Sequence, residues 1–167
     1  NVRVIRFTTY FPRIAYGIAK IFKEKIKAKT GAVVYTKRLS KYQCYEIDGI
    51  KILLTPLYKV VPHIVPSERY LSKILEQPLT DLASEGFVPD IVTAHFQNPQ
   101  LKALSILKDK FPKSRFCMVM HNNGKDLPRL YKKDLHKYMN NIDVWGFRSY
   151  AFREEFENVY GKQDRSF

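Results

Sequence analysis

The polar residues best placed to do chemistry stand directly after apolar runs. "RFCMVM" (115–120) passes without a break into "HNNGKD" (121–126), so His121, Asn122, Asn123, Lys125 and Asp126 follow the end of a strand-like segment. A second run, "DIVTA" (90–94), ends on His95, Gln97 and Asn98. At the rim of a sheet a neutral imidazole donates or accepts a hydrogen bond to a hydroxyl, and a cationic one pairs with phosphate. His121 therefore reads as a ligand contact or as a buried structural histidine. His95 reads as part of a polar wall for a sugar or phosphate, or as a hydrogen-bonded core residue. Asn98 and Asp126 are explained better as helix caps, and His63 and His136 as surface residues.

Several chemistries are missing from the pattern. There is no Gly-x-Ser-x-Gly elbow, no His-Glu-x-x-His and no Walker loop, which disfavours a self-contained hydrolase or NTPase. The loop after the first strand, "TTYFPRIAYG", holds Gly17 alone, where a dinucleotide-binding loop needs several glycines to bring its backbone against the phosphates. The loop reads as an ordinary strand-to-helix connection or as one that borders a bound ligand, and Gly17 opens a helix whose N-terminus would welcome an anion. Cys44 and Cys117 make neither a disulfide framework nor a zinc site, so no metal is expected, and Cys117 reads as a small core hydrophobe.

These residues must be positioned by strands and helices in alternation. "VRVIRFTTYF" (2–11) is a strand closed by Pro12, and "GIAKIFKEKIKAKTG" (17–31) an amphipathic helix with Ile18, Phe22 and Ile26 along one side, ended by Gly31. "AVVYTKRL" (32–39) makes a second strand and "DGIKILLTPLY" (48–58) a third, after an Asp48-Gly49 turn. A connection through Pro62 and Pro66 leads to a helix capped by Ser67, with Leu71, Ile74, Leu75, Leu79 and Leu82 on its apolar face and Pro78 expected to kink or split it. From there the pattern is regular. Strands over 90–96, 114–122 and 142–147 alternate with helices over 98–111, about 126–138 and 149–161, with Asn98-Pro99 as Ncap and N1 and Gly161 as the final stop.

Such alternation predicts an α/β fold with a doubly wound, mostly parallel sheet carrying helices on both faces, Rossmann-like, whose ligands collect at the carboxyl ends of the strands. The 167 residues are read as a single domain, and a 45% hydrophobic and 14% aromatic content excludes disorder. No run reaches the roughly 18 apolar residues of a membrane span, so a soluble cytoplasmic chain is expected. Twenty-nine Lys and Arg against sixteen Asp and Glu give +13, which points to an anionic partner such as nucleic acid, anionic lipid or phosphorylated metabolites.

The order and spacing of "TTYFPRIAYGIAKIFKEKIKAKTGAVVYTKR", "EIDGIKILLTP", "PDIVTAHFQNPQLKALSILKDKF", "FCMVMHNNGKDL" and "NIDVWGFRSYAFREEFENVYG" resemble the N-terminal domain of retaining two-Rossmann-domain glycosyltransferases of family four. The likeness covers nearly the whole chain. It implies an acceptor-binding half of an enzyme that moves a hexose from a nucleotide sugar to a glycan or lipid-linked acceptor in bacterial cell-surface polysaccharide synthesis. It also implies a separate C-terminal donor domain that holds the nucleotide sugar, without which this half is inactive, and no metal or other cofactor. His121 matches the family's cleft histidine near the transferred sugar. Gly17 matches the glycine-bearing loop after the first strand, His95 and Asn122 fall at substrate-facing strand ends, and Ser149 matches the family's serine after the sixth strand or caps a helix. The first loop carries fewer glycines than the family's, and "HNNGKD" is a longer spacing than its usual His-to-Asp step. A basic surface including Arg13, Lys20, Lys23, Lys27 and Lys59 would meet the lipid diphosphate or the anionic face of the membrane, with the protein peripheral at its inner side and no nucleic acid bound. The competing expectation is a non-catalytic basic Rossmann-like module that binds nucleic acid or a protein partner.

Overall fold

A computed structural model describes residues 1–30, 39–59 and 64–167. The chain divides into two compact units, Asn1–Ile64 with Ile74–Asp81, and Val65–Lys73 with Leu82–Phe167.

In the first unit β1 (Arg3–Tyr10) runs parallel to β3 (Ile50–Tyr58), from Arg3 opposite Lys51 to Tyr10 opposite Tyr58. On the other side of β3 lies β2 (Gln43–Ile47), antiparallel to it. Asp48 (φ 50°) and Gly49 (φ 76°) form the connecting turn, and two successive positive φ values are what a tight hairpin with the right-handed strand twist requires. β2 was not foreseen. It is short and exposed at every position, so it lacks the apolar alternation that marks a half-buried strand. β3 has that alternation: Leu53, Thr55 and Leu57 are buried and their neighbours are not. The helix expected over 17–31 begins earlier and is interrupted, giving α1 (Arg13–Ile21) and α2 (Lys23–Thr30). Gly17 consequently lies inside α1 and does not open it. The strand expected over 32–39, the Gly31 cap, Pro62 and His63 lie outside the described residues, apart from Leu39 at the end of that strand.

The second unit is built on a parallel three-stranded sheet in the order β4 (Ile91–His95), β5 (Arg115–Met120), β6 (Val144–Phe147). Parallel neighbours need crossover connections. α4 (Gln100–Lys110) joins β4 to β5 and packs on both. Between β5 and β6 run α5 (Leu127–Tyr131), a single 3-10 turn (Lys132–Asp134) and α6 (Leu135–Met139). α7 (Tyr150–Tyr160) follows and packs on β6. Phe116, Met118 and Met120 alternate along β5 and are fully buried, which explains the greasiness of the run before His121. Beyond β6 the chain returns to the sheet: Trp145 donates its N–H to the Arg165 carbonyl (2.9 Å) and Phe147 to that of Phe167 (2.9 Å), parallel to β6. The fold is thus α/β, with three of the four strand pairings among the described residues parallel.

Three local expectations are corrected. The helix α3 (Glu68–Ser84), capped by the Ser67 hydroxyl, which accepts from the Tyr70 N–H (3.2 Å), runs through Pro78 without a break. The proline ring is buried in line with Leu71, Leu75 and Leu82, and its apolar contact offsets the missing hydrogen bond. The helix expected over about 126–138 is broken at Lys132, whose φ of 49° ends α5. Of Leu130, Tyr131, Leu135 and Tyr138, expected along its apolar side, the last three are buried and Leu130 is half-buried, while Leu127 is buried as well. Asn98-Pro99 does not cap α4: the helix starts one step later, with Pro99 at the Ncap position and no side-chain cap.

Asp143, just before β6, fastens this unit electrostatically. Its Oδ2 accepts from Lys108 Nζ (2.8 Å) and from the Phe116 N–H (2.8 Å). Burial pushes the carboxyl up, but Lys108, the Phe116 N–H and Arg115 together hold it below its ordinary 3.8. A folded-state value below the unfolded one stabilises the protein above the unfolded pKa, and that stability is lost as pH falls through the folded value. Asp143→Asn is expected to lower stability at pH 7 by about 1–2 kcal/mol, the scale of one charge-assisted, partly exposed hydrogen bond, and to flatten the loss below pH about 4. Urea titrations between neutral and acid pH measure both.

Candidate functional site

β4 and β5 are neighbours in the parallel sheet, with His95 opposite Val119, so the histidines that close the two strands emerge at the same edge. They touch: His95 Nδ1 lies 3.1 Å from His121 Nε2. One ring donates and the other accepts, so the accepting ring is neutral while the bond is made. The other two ring nitrogens, Nε2 of His95 and Nδ1 of His121, make no hydrogen bond among the described residues. His95 is exposed and His121 half-buried, so the pair is reachable from solvent yet held.

A third ring completes the cluster, and sequence reasoning missed it. Phe96 stacks on His121, with centroids 4.2 Å apart and planes 19° from parallel. Its φ of 67° puts a bulky residue in the left-handed region, which costs about 1–3 kcal/mol and is sustained only where surrounding structure enforces it. Nothing about a phenylalanine in sequence marks it for that conformation. The loop it opens is tied down from below, because the Tyr131 hydroxyl donates to the Gln97 carbonyl. Burial pushes that hydroxyl far above its ordinary pKa, which keeps it a donor. Asn98 Oδ1 in the same loop and Gln100 Oε1 at the start of α4 are buried and lack a hydrogen-bond partner among the described residues.

The remaining polar residues of "HNNGKD" mostly shape the loop. Asn122 Oδ1 accepts from the Gly124 N–H (3.1 Å) and Asn123 Oδ1 from the Lys125 N–H (3.2 Å), two successive side-chain turns. Asn123 Nδ2 (2.7 Å) and Lys125 Nζ (2.8 Å) both reach Glu155 on α7 and hold its carboxyl below the usual range, Lys125 contributing most. Asp126 precedes α5 without capping it and pairs with Arg129. Ser149 is exposed and its hydroxyl accepts from the Phe152 N–H (3.3 Å), capping α7. Of the anticipated site residues, then, His95 and His121 meet, Asn122 turns the chain beside them and Ser149 starts a helix. Gly17 belongs to the first unit, exposed on α1.

In that first unit the carboxyl ends of β1 and β3 bring Tyr10 and Tyr58 together, ring centroids 5.2 Å apart. Lys59 follows, its N–H donating to the Tyr10 carbonyl (2.9 Å) and its ammonium pushed down in pKa by burial. Among the described residues no group of three or more His, Cys, Asp or Glu converges as a metal site.

The fold and the site together define an α/β protein with a parallel sheet and an aromatic–imidazole cluster at the carboxyl ends of adjacent strands. The sequence matches no family model and no curated protein.

Proposed function

We propose that this chain is the acceptor-binding half of a retaining glycosyltransferase, in which the His95–His121 pair contacts the hydroxyls of a glycan or lipid-linked acceptor and a separate domain holds the nucleotide sugar. The observation that carries the reading is the pairing of these imidazoles at neighbouring parallel strand ends, the position where α/β folds bind ligands. Its chemistry suits a saccharide. The two unengaged ring nitrogens offer donor and acceptor capacity, and Phe96 lies flat against His121 with about half its surface exposed (55%), an apolar face of the sort a pyranose C–H surface covers.

In this reading His121 positions the acceptor hydroxyl through one hydrogen bond, and His95 holds the His121 ring in orientation. In an enzyme that joins this chain to a donor domain, His121→Ala is expected to lower transfer at least about tenfold with folding intact, the scale of one lost active-site hydrogen bond. Without a donor domain, binding is the readout. NMR titration of the chain with oligosaccharides should shift the imidazole resonances of His95 and His121, and His121→Ala should weaken binding by a similar factor. Saccharides that leave both imidazoles unmoved, with salt-sensitive binding of random oligonucleotides in their place, would sink this proposal in favour of a basic nucleic-acid-binding module.

A further inference from the structure

The parallel ladder between β5 and β6 runs one step past the strands themselves. Phe147 stands opposite Met120, and both turn inward, Met120 fully buried and Phe147 against Phe156. The Arg148 N–H still donates to the Met120 carbonyl (3.3 Å), so the next residues, Arg148 and His121, leave their strands side by side. Side chains alternate along a strand and neighbouring strands lie about 4.8 Å apart, which sets this arginine beside the imidazole on the face away from the core. His95 belongs to that face as well, being opposite Val119, two residues before His121.

The charge of Arg148 is the one left over. The segments that leave the three strands of this sheet, 96–99, 121–126 and 148–153, hold three cations and one anion, histidines aside. Lys125 is bound to Glu155 (2.8 Å), Arg153 to Glu157 (3.0 Å) and Asp126 to Arg129 (3.0 Å). Arg148 is exposed, and its guanidinium has no ion pair or hydrogen bond among the described residues. A rim with a hydrogen-bonding imidazole pair, an aromatic face and one uncompensated cation fits a saccharide that carries one negative charge. The guanidinium fork presents two parallel N–H donors that match the two oxygens of a carboxylate. A phosphate monoester carries about −1.5 to −2, more than this single cation balances. We infer that Arg148 reads a carboxylate on the sugar held by His95 and His121, so that the ligand is an acidic saccharide of the uronate class. The inference rests on the saccharide reading of the histidine pair and adds to it the charge of the acceptor.

The test is an NMR titration of the chain with methyl glucoside, with methyl glucuronide, in which a carboxylate replaces the hydroxymethyl group, and with the phosphate ester of the glucoside. The glucuronide is expected to move the imidazole resonances of His95 and His121. It should bind about fivefold more tightly than the glucoside at low salt, the upper worth of one exposed ion pair, with the difference shrinking as salt is raised. Arg148→Gln should abolish the difference, whereas Lys110→Gln, which removes the same charge from an exposed site on α4, should keep it. Arg148 is exposed, so the thermal midpoint of its variant should match the parent. Equal affinities for glucoside and glucuronide, or a difference that survives Arg148→Gln, overturn the inference and leave the saccharide reading standing. A phosphate ester that binds more tightly than the glucuronide overturns the choice of carboxylate. If no sugar moves the imidazoles, the saccharide reading falls and the inference falls with it.

Discussion

Phe156→Ala is expected to destabilise the protein by about 3–5 kcal/mol, enough to remove much of the margin by which a domain of this size stays folded. Phe156 is 0% exposed on α7 and is the hub of an aromatic group. Trp145 lies 4.9 Å from it, Phe147 5.2 Å and Tyr160 4.7 Å, centroid to centroid, all tilted and none stacked face to face. Tilted aromatic pairs at such distances add about 0.5–1.5 kcal/mol beyond the area they bury. Truncation forfeits the transfer term and these contacts, and leaves a cavity between α7 and the end of β6 that such large rings cannot collapse to fill. A urea unfolding curve measures the loss. A midpoint within about 1 kcal/mol of the parent would mean that the ring is not the unit's keystone.

The elements around the site differ in how far they can be read from sequence. Alternating apolar residues along 115–120 foretell β5, and the abrupt change at His121 foretells where a polar rim must begin. The Ser67 and Ser149 caps and the Gly161 stop also stand where their chemistry puts them. These are short-range facts, written in side-chain period and backbone demand. The meeting of His95 with His121 is less local: it follows from the sheet order β4-β5, so each histidine is visible in sequence but their bond is not. Phe96 is invisible as a site residue, because its ring reaches His121 only through a left-handed φ that sequence does not announce. The split at Lys132 is of the same kind. α1 marks another limit. Its spacing declares an apolar stripe, yet a stripe states only that something covers it, and Ile14, Ile18 and Ile21 remain in water within this chain.

The loop that carries His121 is held from beneath by contacts that place no polar group in the site. Gly124 lies three residues on, at φ 72°, and the Tyr160 hydroxyl donates to its carbonyl (2.8 Å). A Cβ at Gly124 would stand 2.8 Å from Phe156 Cδ2, 3.0 Å from Cε2 and 3.3 Å from Leu127 Cδ1, closer than carbon atoms pack. Gly124→Ala therefore meets two penalties, about 1–2 kcal/mol for an L-residue in the left-handed region and about 1–3 kcal/mol for overpacking against a ring that has nowhere to go. The expected loss is about 3 kcal/mol. The penalties can be separated, since only the second depends on Phe156. In the Phe156→Ala background the clash is relieved and Gly124→Ala should cost only the backbone term. The double variant should then be more stable than the two single losses predict when added, by about 1–2 kcal/mol. Urea unfolding of the four proteins of this cycle measures the coupling. Additivity within about 0.5 kcal/mol would show that the glycine is required for its backbone alone. Coupling of the expected sign would make the aromatic group on α7 the support that fixes the path of the chain from His121 to α5, and so the direction in which that imidazole meets His95.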